Sequence, residues 1–170
     1  MHRIAKFEKV SFDQFASAVM DDFGLGDDEA RKVYDAIKLP ARATAGSAGY
    51  DFYTPVGFSL EPGKTIKIPT GIRARMDSDW VLMIYPRSGL GFKYRLQLNN
   101  TVGVIDSDYY YSDNEGHIFI KITNDSNEGK TVEVPELGGF AQGIFMPYGI
   151  TEDDDVTDAR NGGFGSTDRK

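Results

Sequence analysis

At 170 residues, with a net charge of -7 and no cysteine, the chain is long enough to bury a core unaided and can use neither disulfides, thiolate metal ligation nor a thiol nucleophile. It carries no lysine/arginine block and its longest apolar stretch, residues 80–85, is too short to span a bilayer, which argues against nucleic-acid and membrane binding. A soluble, cytoplasmic, single-domain protein is expected, and any polyanionic ligand must be held locally by a few cations, backbone amides or a metal.

The opening MHRIAKFEKV has no apolar run of signal-peptide length. Phe12, Phe15, Ala16, Val19, Met20 and Phe23 then recur at helical spacing behind a Ser11-x-x-Gln14 capping box, with Gly24 and Gly26 to stop the helix. A second short helix over residues 28–37 presents Ala30, Val33, Tyr34 and Ile37 before Pro40 ends it. Residues 1–38 therefore read as a helical extension packed on the body, its aromatic stripe serving as core rather than as a partner-binding face.

From about residue 39 the pattern changes to short strands between Gly, Pro and Asn/Asp turns: KTIKIP, GIRARM, WVLMIYP, TVGVID, HIFIKIT, KTVEVP and FAQGIFMP. So many closely spaced strands predict a mainly β sandwich or barrel over residues 39–150. Residues 151–170 are acidic and then glycine-rich with little apolar material, and are expected to form a mobile arm.

Three segments could carry chemistry. Pro86-Arg87-Ser88-Gly89-Leu90-Gly91 follows a strongly apolar strand, where a turn or helix start exposes amides and a guanidinium to an anion; an ordinary turn with a surface arginine reads equally well. Gly103-Val104-Ile105-Asp106-Ser107-Asp108-Tyr109 sets two carboxylates on one side of an extended segment, one of which could be a general base while an aromatic packs on a sugar; a plain Asp turn is the commoner use of that pattern. The tail Gly162-Gly163-Phe164-Gly165-Ser166-Thr167, with Arg160, offers amides, hydroxyls and a ring for phosphate and base, but composition alone favours an unstructured terminus. His2 and His117 are isolated and draw no role, and Trp80 reads as core.

The order of these segments is more specific than any one of them. Ala45-Gly46-Ser47-Ala48-Gly49-Tyr50-Asp51, PRSGLGFK, Asn100-x-x-Gly103-x-Ile105-Asp106-x-Asp108-Tyr109, Phe140-Ala141-Gln142-Gly143 and GGFGST resemble the ordered motifs of the trimeric dUTPase family. The resemblance covers residues 39–170. It implies a jelly-roll-like β-barrel and a homotrimer with active sites between subunits, hydrolysing dUTP to dUMP and pyrophosphate with Mg2+.

By the same resemblance Asp106 matches the catalytic carboxylate that activates water against the α-phosphorus, and Tyr109 packs under the deoxyribose against a 2'-OH. Asn100, Gly103 and Ile105 belong to the hairpin that reads uracil through its main chain. Arg87, Ser88 and Gly89 match phosphate contacts; Asp51 and Gln142 match residues that reach Mg2+ only through water. Phe164 matches the ring that closes on uracil, while Arg160, Gly165, Ser166 and Thr167 match the grip on the outer phosphates.

The chain departs from the family pattern in its helical N-terminus, in Tyr110-Tyr111-Ser112 followed by a polar turn at 113–116, in Leu137-Gly138-Gly139, and in the spacing of Arg160 from the final motif. The first two additions resemble dUTPases from phages of Gram-positive bacteria, some of which bind a repressor protein of a mobile genetic island. A dCTP deaminase shares the fold and is the enzymatic alternative, disfavoured by the Asp106/Tyr109 hairpin and the aromatic arm.

Overall fold

The computed structural model describes residues 2–158. Its architecture is mainly β and jelly-roll-like, with short helices at the N-terminal end. A five-stranded sheet has the order β2 (Ala41–Arg42), β3 (Tyr50–Tyr53), β12 (Gly139–Pro147), β7 (Trp80–Pro86), β9 (Gly103–Ile105). A three-stranded sheet runs β5 (Thr65–Pro69), β10 (Phe119–Asn124), β8 (Leu96–Leu98), and two further pairs join β1 (Ala5–Lys9) to β6 (Ile72–Met76) and β4 (Phe58–Leu60) to β11 (Val132–Val134). Every one of these pairings is antiparallel.

The core follows from strand alternation. Leu82 and Ile84 on β7, Phe52 on β3 and Phe140 on β12 are almost fully buried, as are Ile68, Ile120, Ile122 and Leu96 from the three-stranded sheet. Leucine, isoleucine and phenylalanine side chains shut away like this each contribute about 2–3 kcal/mol relative to exposure. Gly143 leaves room for the core side chains of the strands on either side of it in the sheet, since a Cβ there would stand 2.9 Å from Leu82 of β7 and 3.0 Å from Phe52 of β3.

The expected helices form. α1 (Phe12–Phe23) buries Phe15, Ala16 and Val19, and ends at Gly24, whose φ of 67° suits glycine. Its capping box is only half formed: Ser11 Oγ accepts from Gln14 N at 3.2 Å, but the Ser11 N–H donates to Glu115 Oε2 at 2.7 Å, so a residue of the distant polar turn fills the place expected for Gln14. α2 (Asp27–Ala36) begins at Gly26, whose N–H donates to Glu29 Oε2 at 3.1 Å. Phe15 and Ile37 close over Gly71, where a Cβ would meet them at 3.1 and 2.4 Å.

One expectation needs correction: the first 38 residues are not wholly helical. Residues 5–9 form β1, paired with β6 from Ala5↔Met76 to Lys9↔Ile72. Only Phe7 of that strand is buried, packing edge-on against Phe52 at 5.6 Å between ring centroids, so apolar periodicity had almost nothing to register.

Candidate functional site

Two clusters of the sequence-selected residues emerge. The first is the hairpin from β8 to β9. Its tip is tight: Thr101 N–H donates to Leu98 O at 3.0 Å and Val102 N–H to Asn100 O at 2.7 Å, with Thr101 in the left-handed region at φ 66°. Gly103 lies so near Ile84 that a Cβ would stand 3.1 Å from its Cβ, which explains the glycine. Asn100, Gly103 and Ile105 wall a cavity of about 380 Å³, together with Phe119, Lys67 and Lys121. That size lies within the range of small-ligand pockets.

The strand leads from this cavity directly into Asp106, half-buried, which opens the 3-10 helix η1 (Ser107–Tyr111) and accepts the Tyr109 N–H on its carbonyl at 3.2 Å. Tyr109 is only 5% exposed. Its hydroxyl donates to His117 O and accepts from Asn114 Nδ2, both at 2.8 Å. With the hydroxyl so engaged, the residue has its phenol proton committed inside the fold.

The second cluster stands where β3, β7 and β12 lie side by side. Gln142 pairs with Asp51 on one side and Tyr85 on the other, and Arg87 follows the end of β7. Arg87 Nε lies 3.3 Å from Asp51 Oδ1, and Gln142 Nε2 donates to Pro86 O at 3.3 Å. Ser88 and Gly89 begin the short helix α3 (Ser88–Tyr94), whose N-cap, Arg87, supplies no side-chain cap. An exposed guanidinium beside helix-start amides can take an anion.

Two glycines that sequence reading left without a role shape this cluster. A Cβ at Gly139 would stand 2.7 Å from Arg87 Nη1, and one at Gly49 would stand 2.8 Å from Gln142 Oε1. Each glycine therefore makes the seat for a functional side chain. Asn114 and His117, which anchor Tyr109, were also missed, because they themselves lie outside any motif.

Within a single chain Asp106 stands away from Arg87, although the Gly103 end of the hairpin pairs with Ile84 toward the Arg87 end of β7. Ile105 pairs with Leu82, and Asp106 continues past Leu82 toward Val81 while Arg87 lies beyond the other end of β7. Six residues of extended strand separate Val81 from Arg87, roughly 20 Å at the usual rise of about 3.3 Å per residue. Arg160, Phe164, Gly165, Ser166 and Thr167 lie outside the described residues.

Among the described residues no three His, Cys, Asp or Glu side chains are grouped to enclose a metal ion. The donors present beside Arg87 are one carboxylate, Asp51, and one amide, Gln142. That set fits Mg2+ met through water and carried mainly by a phosphate ligand, the usual manner of this ion with nucleotides. No described helix is long and apolar enough to cross a membrane.

Comparison with known proteins agrees with the motif order. A family model described as dUTPase matches residues 35–168. The deoxyuridine 5'-triphosphate nucleotidohydrolase of Lactococcus lactis is 43% identical over 134 residues, covering 77% of this chain and 88% of its own. Among solved structures, the dUTPase of Streptococcus mutans aligns with TM-score 0.60 at 39% identity over 67% of this chain and 88% of its own. A point mutant of the dUTPase from phage phi11 of S. aureus, described with a structural Mg(II) ion, aligns with TM-score 0.63 over 92% of this chain and 98% of its own; at 19% identity it speaks for the fold alone.

Proposed function

The chain belongs to the dUTPase family, and from that premise we propose that it hydrolyses dUTP to dUMP and pyrophosphate by water attack on the α-phosphorus, in sites shared between the subunits of a homotrimer. The observation that carries this reading is the hairpin cavity walled by Asn100, Gly103 and Ile105, whose wall strand β9 runs straight on into Asp106.

Uracil enters the cavity and is read by hairpin main-chain groups, with Asn100 holding the tip in shape. A 5-methyl group would meet the same walls, which excludes dTTP by steric conflict. Tyr109 lies under the deoxyribose and leaves no room for a 2'-OH; its internally engaged hydroxyl supports a role by shape rather than by hydrogen bonding to substrate. Asp106 meets the 3'-OH, orients the attacking water and takes its proton.

Arg87, Ser88 and Gly89 hold phosphate oxygens, and Asp51 keeps the guanidinium aimed. Asp51 and Gln142 would hold Mg2+ through water, and the ion when bound would supply charge neutralisation of the triphosphate. Phe164 covers the base, and Arg160, Gly165, Ser166 and Thr167 grip the β- and γ-phosphates, which excludes bulk water from the reacting centre. The roughly 20 Å of strand between Val81, beside Asp106, and Arg87 supports a shared site, because Asp106 of one chain then meets the phosphate cluster of another. Trimeric closure lets each cluster be used once per site.

Pyrophosphate release from dUTP, UTP and the four ordinary dNTPs tests the reading. Release from dUTP alone is expected. Ammonia and dUTP from dCTP would establish the deaminase instead.

A second role, binding a repressor protein as some phage dUTPases of Gram-positive hosts do, is suggested by the N-terminal helices and the Tyr110-Tyr111-Ser112 insertion that this chain adds to the family pattern. If the partner surface overlaps the substrate pocket, a dUTP analogue will compete with the repressor. Equal repressor affinity with and without analogue, and for Tyr109→Ala, would refute the overlap.

A further inference from the structure

The polar turn at 113–116 departs from the family pattern, yet its contacts converge on Tyr109. The Asn114 carboxamide is oriented through its oxygen, which accepts from Ser112 Oγ at 2.9 Å and from Gly116 N at 3.2 Å. That leaves Nδ2 directed at Tyr109 Oη, 2.8 Å away. The single Ser112 hydroxyl proton is shared between Asn114 Oδ1 and the nearer Tyr109 O, 2.6 Å away, so the Gly116 N–H is what settles which way the amide faces. The phenol proton is spent on His117 O at 2.8 Å. The hydroxyl thus receives one bond and gives one, which fixes the ring at its far end.

The turn is also held against the 109–110 backbone under strain. Glu115 and Gly116 are consecutive left-handed residues, φ 59° and 71°. A Cβ at Gly116 would stand 2.7 Å from Tyr110 Cα and 2.8 Å from Tyr109 O. A non-glycine residue keeps such a conformation only where its surroundings over-determine it. Here the Glu115 carboxylate accepts from both Ser11 N and Ser11 Oγ, at 2.7 and 2.5 Å, tying the turn to the start of α1.

We infer that Asn114 is a positioning residue for sugar selection: by pinning the Tyr109 hydroxyl it holds the floor under the deoxyribose at a fixed height. This rests on the dUTPase reading. A floor able to settle by a few tenths of an ångström, on the order of what loosened core packing permits, would admit a 2'-OH that a rigid floor rejects.

The test is the ratio of kcat/KM for dUTP to that for UTP in wild type, Asn114→Ala, Tyr109→Phe and the double variant. Tyr109→Phe removes the same bond from the other end, together with the one to His117 O, and keeps Asn114 in the turn, so it serves even if Asn114→Ala folds poorly. The ratio should fall about fivefold in Asn114→Ala, the worth of one net hydrogen bond, and at least as far in Tyr109→Phe, mainly through improved use of UTP. The double variant should be no less selective than Tyr109→Phe, since Asn114 has no hydroxyl left to pin once that residue is phenylalanine. Lowered thermal stability with an unchanged ratio in both single variants, or additive losses in the double variant, would overturn the inference. A wild-type chain releasing no pyrophosphate from dUTP would instead bring down the activity on which it rests, and the inference with it.

Discussion

His117 provides a quantitative test of how the turn and the N-terminal helices are joined to the barrel. Its side chain is fully buried, with Nε2 accepting from the Gly71 N–H at 2.9 Å and Nδ1 enclosed without a hydrogen-bond partner among the described residues. Burial, reinforced by Lys67 and only partly opposed by Glu115, lowers its pKa from 6.5 to about 4. Between these values the unfolded chain binds a proton that the folded chain refuses. Its contribution is therefore complete above pH 6.5 and is lost as the pH falls toward 4. A fall from 6.5 to about 4 corresponds to about 3 kcal/mol, a large part of an ordinary folding free energy.

The assay is urea unfolding at one protein concentration from pH 7 to 4.5, comparing wild type with His117→Gln, whose amide oxygen can still accept from Gly71. Glu8 and Glu115, both lowered chiefly by their hydrogen bonds, lose stability with acid in either protein, so the difference between the two curves reports the imidazole together with its small coupling to Glu115. Wild type should lose stability faster, by up to about 1.4 kcal/mol per pH unit for one proton. Parallel curves, or an imidazole resonance titrating near its ordinary value, would refute the reasoning.

Asp106→Asn should abolish pyrophosphate release while isothermal titration still detects a non-hydrolysable dUTP analogue, because the base is lost and the pocket is not. Phe164→Ala should slow turnover by about tenfold or more with the melting temperature unchanged; wild-type kinetics would deny the ring a part in closure. Gly71→Ala should destabilise by about 2–4 kcal/mol in urea unfolding, combining a left-handed backbone with overpacking of Ile37 and Phe15. Ser11→Ala, which removes both the cap of α1 and one bond to Glu115, should cost about 1–2 kcal/mol by the same measurement.

What sequence could and could not disclose follows from where each interaction partner lies. The seven proposed strand segments each contain an observed strand, because β5, β6, β7, β10 and β12 carry enough alternating apolar residues to announce themselves. β3, β4 and β8 have only three or four residues and partners far along the chain, so their pairing is imposed by the surrounding sheets rather than by local preference. α1 was legible from its stripe and cap, yet the Glu115 carboxylate that completes the cap stands 104 residues away. The motif order pointed to the hairpin and to Arg87, but not to Gly139, which seats the guanidinium. His117 looked isolated because its meaning depends on Gly71, 46 residues distant.

The placement of Asp106 and Arg87 toward opposite ends of β7 has a consequence for mixed assemblies. If each pocket draws its base from one subunit and its cation from another, a lesion in either does not doom every pocket containing the damaged copy. Asp106→Asn and Arg87→Ala chains, each inert alone, would recover measurable turnover when unfolded together and reassembled, since some pockets would inherit an intact contribution from both parents. Genetic complementation between alleles of one gene is the cellular counterpart of that geometry.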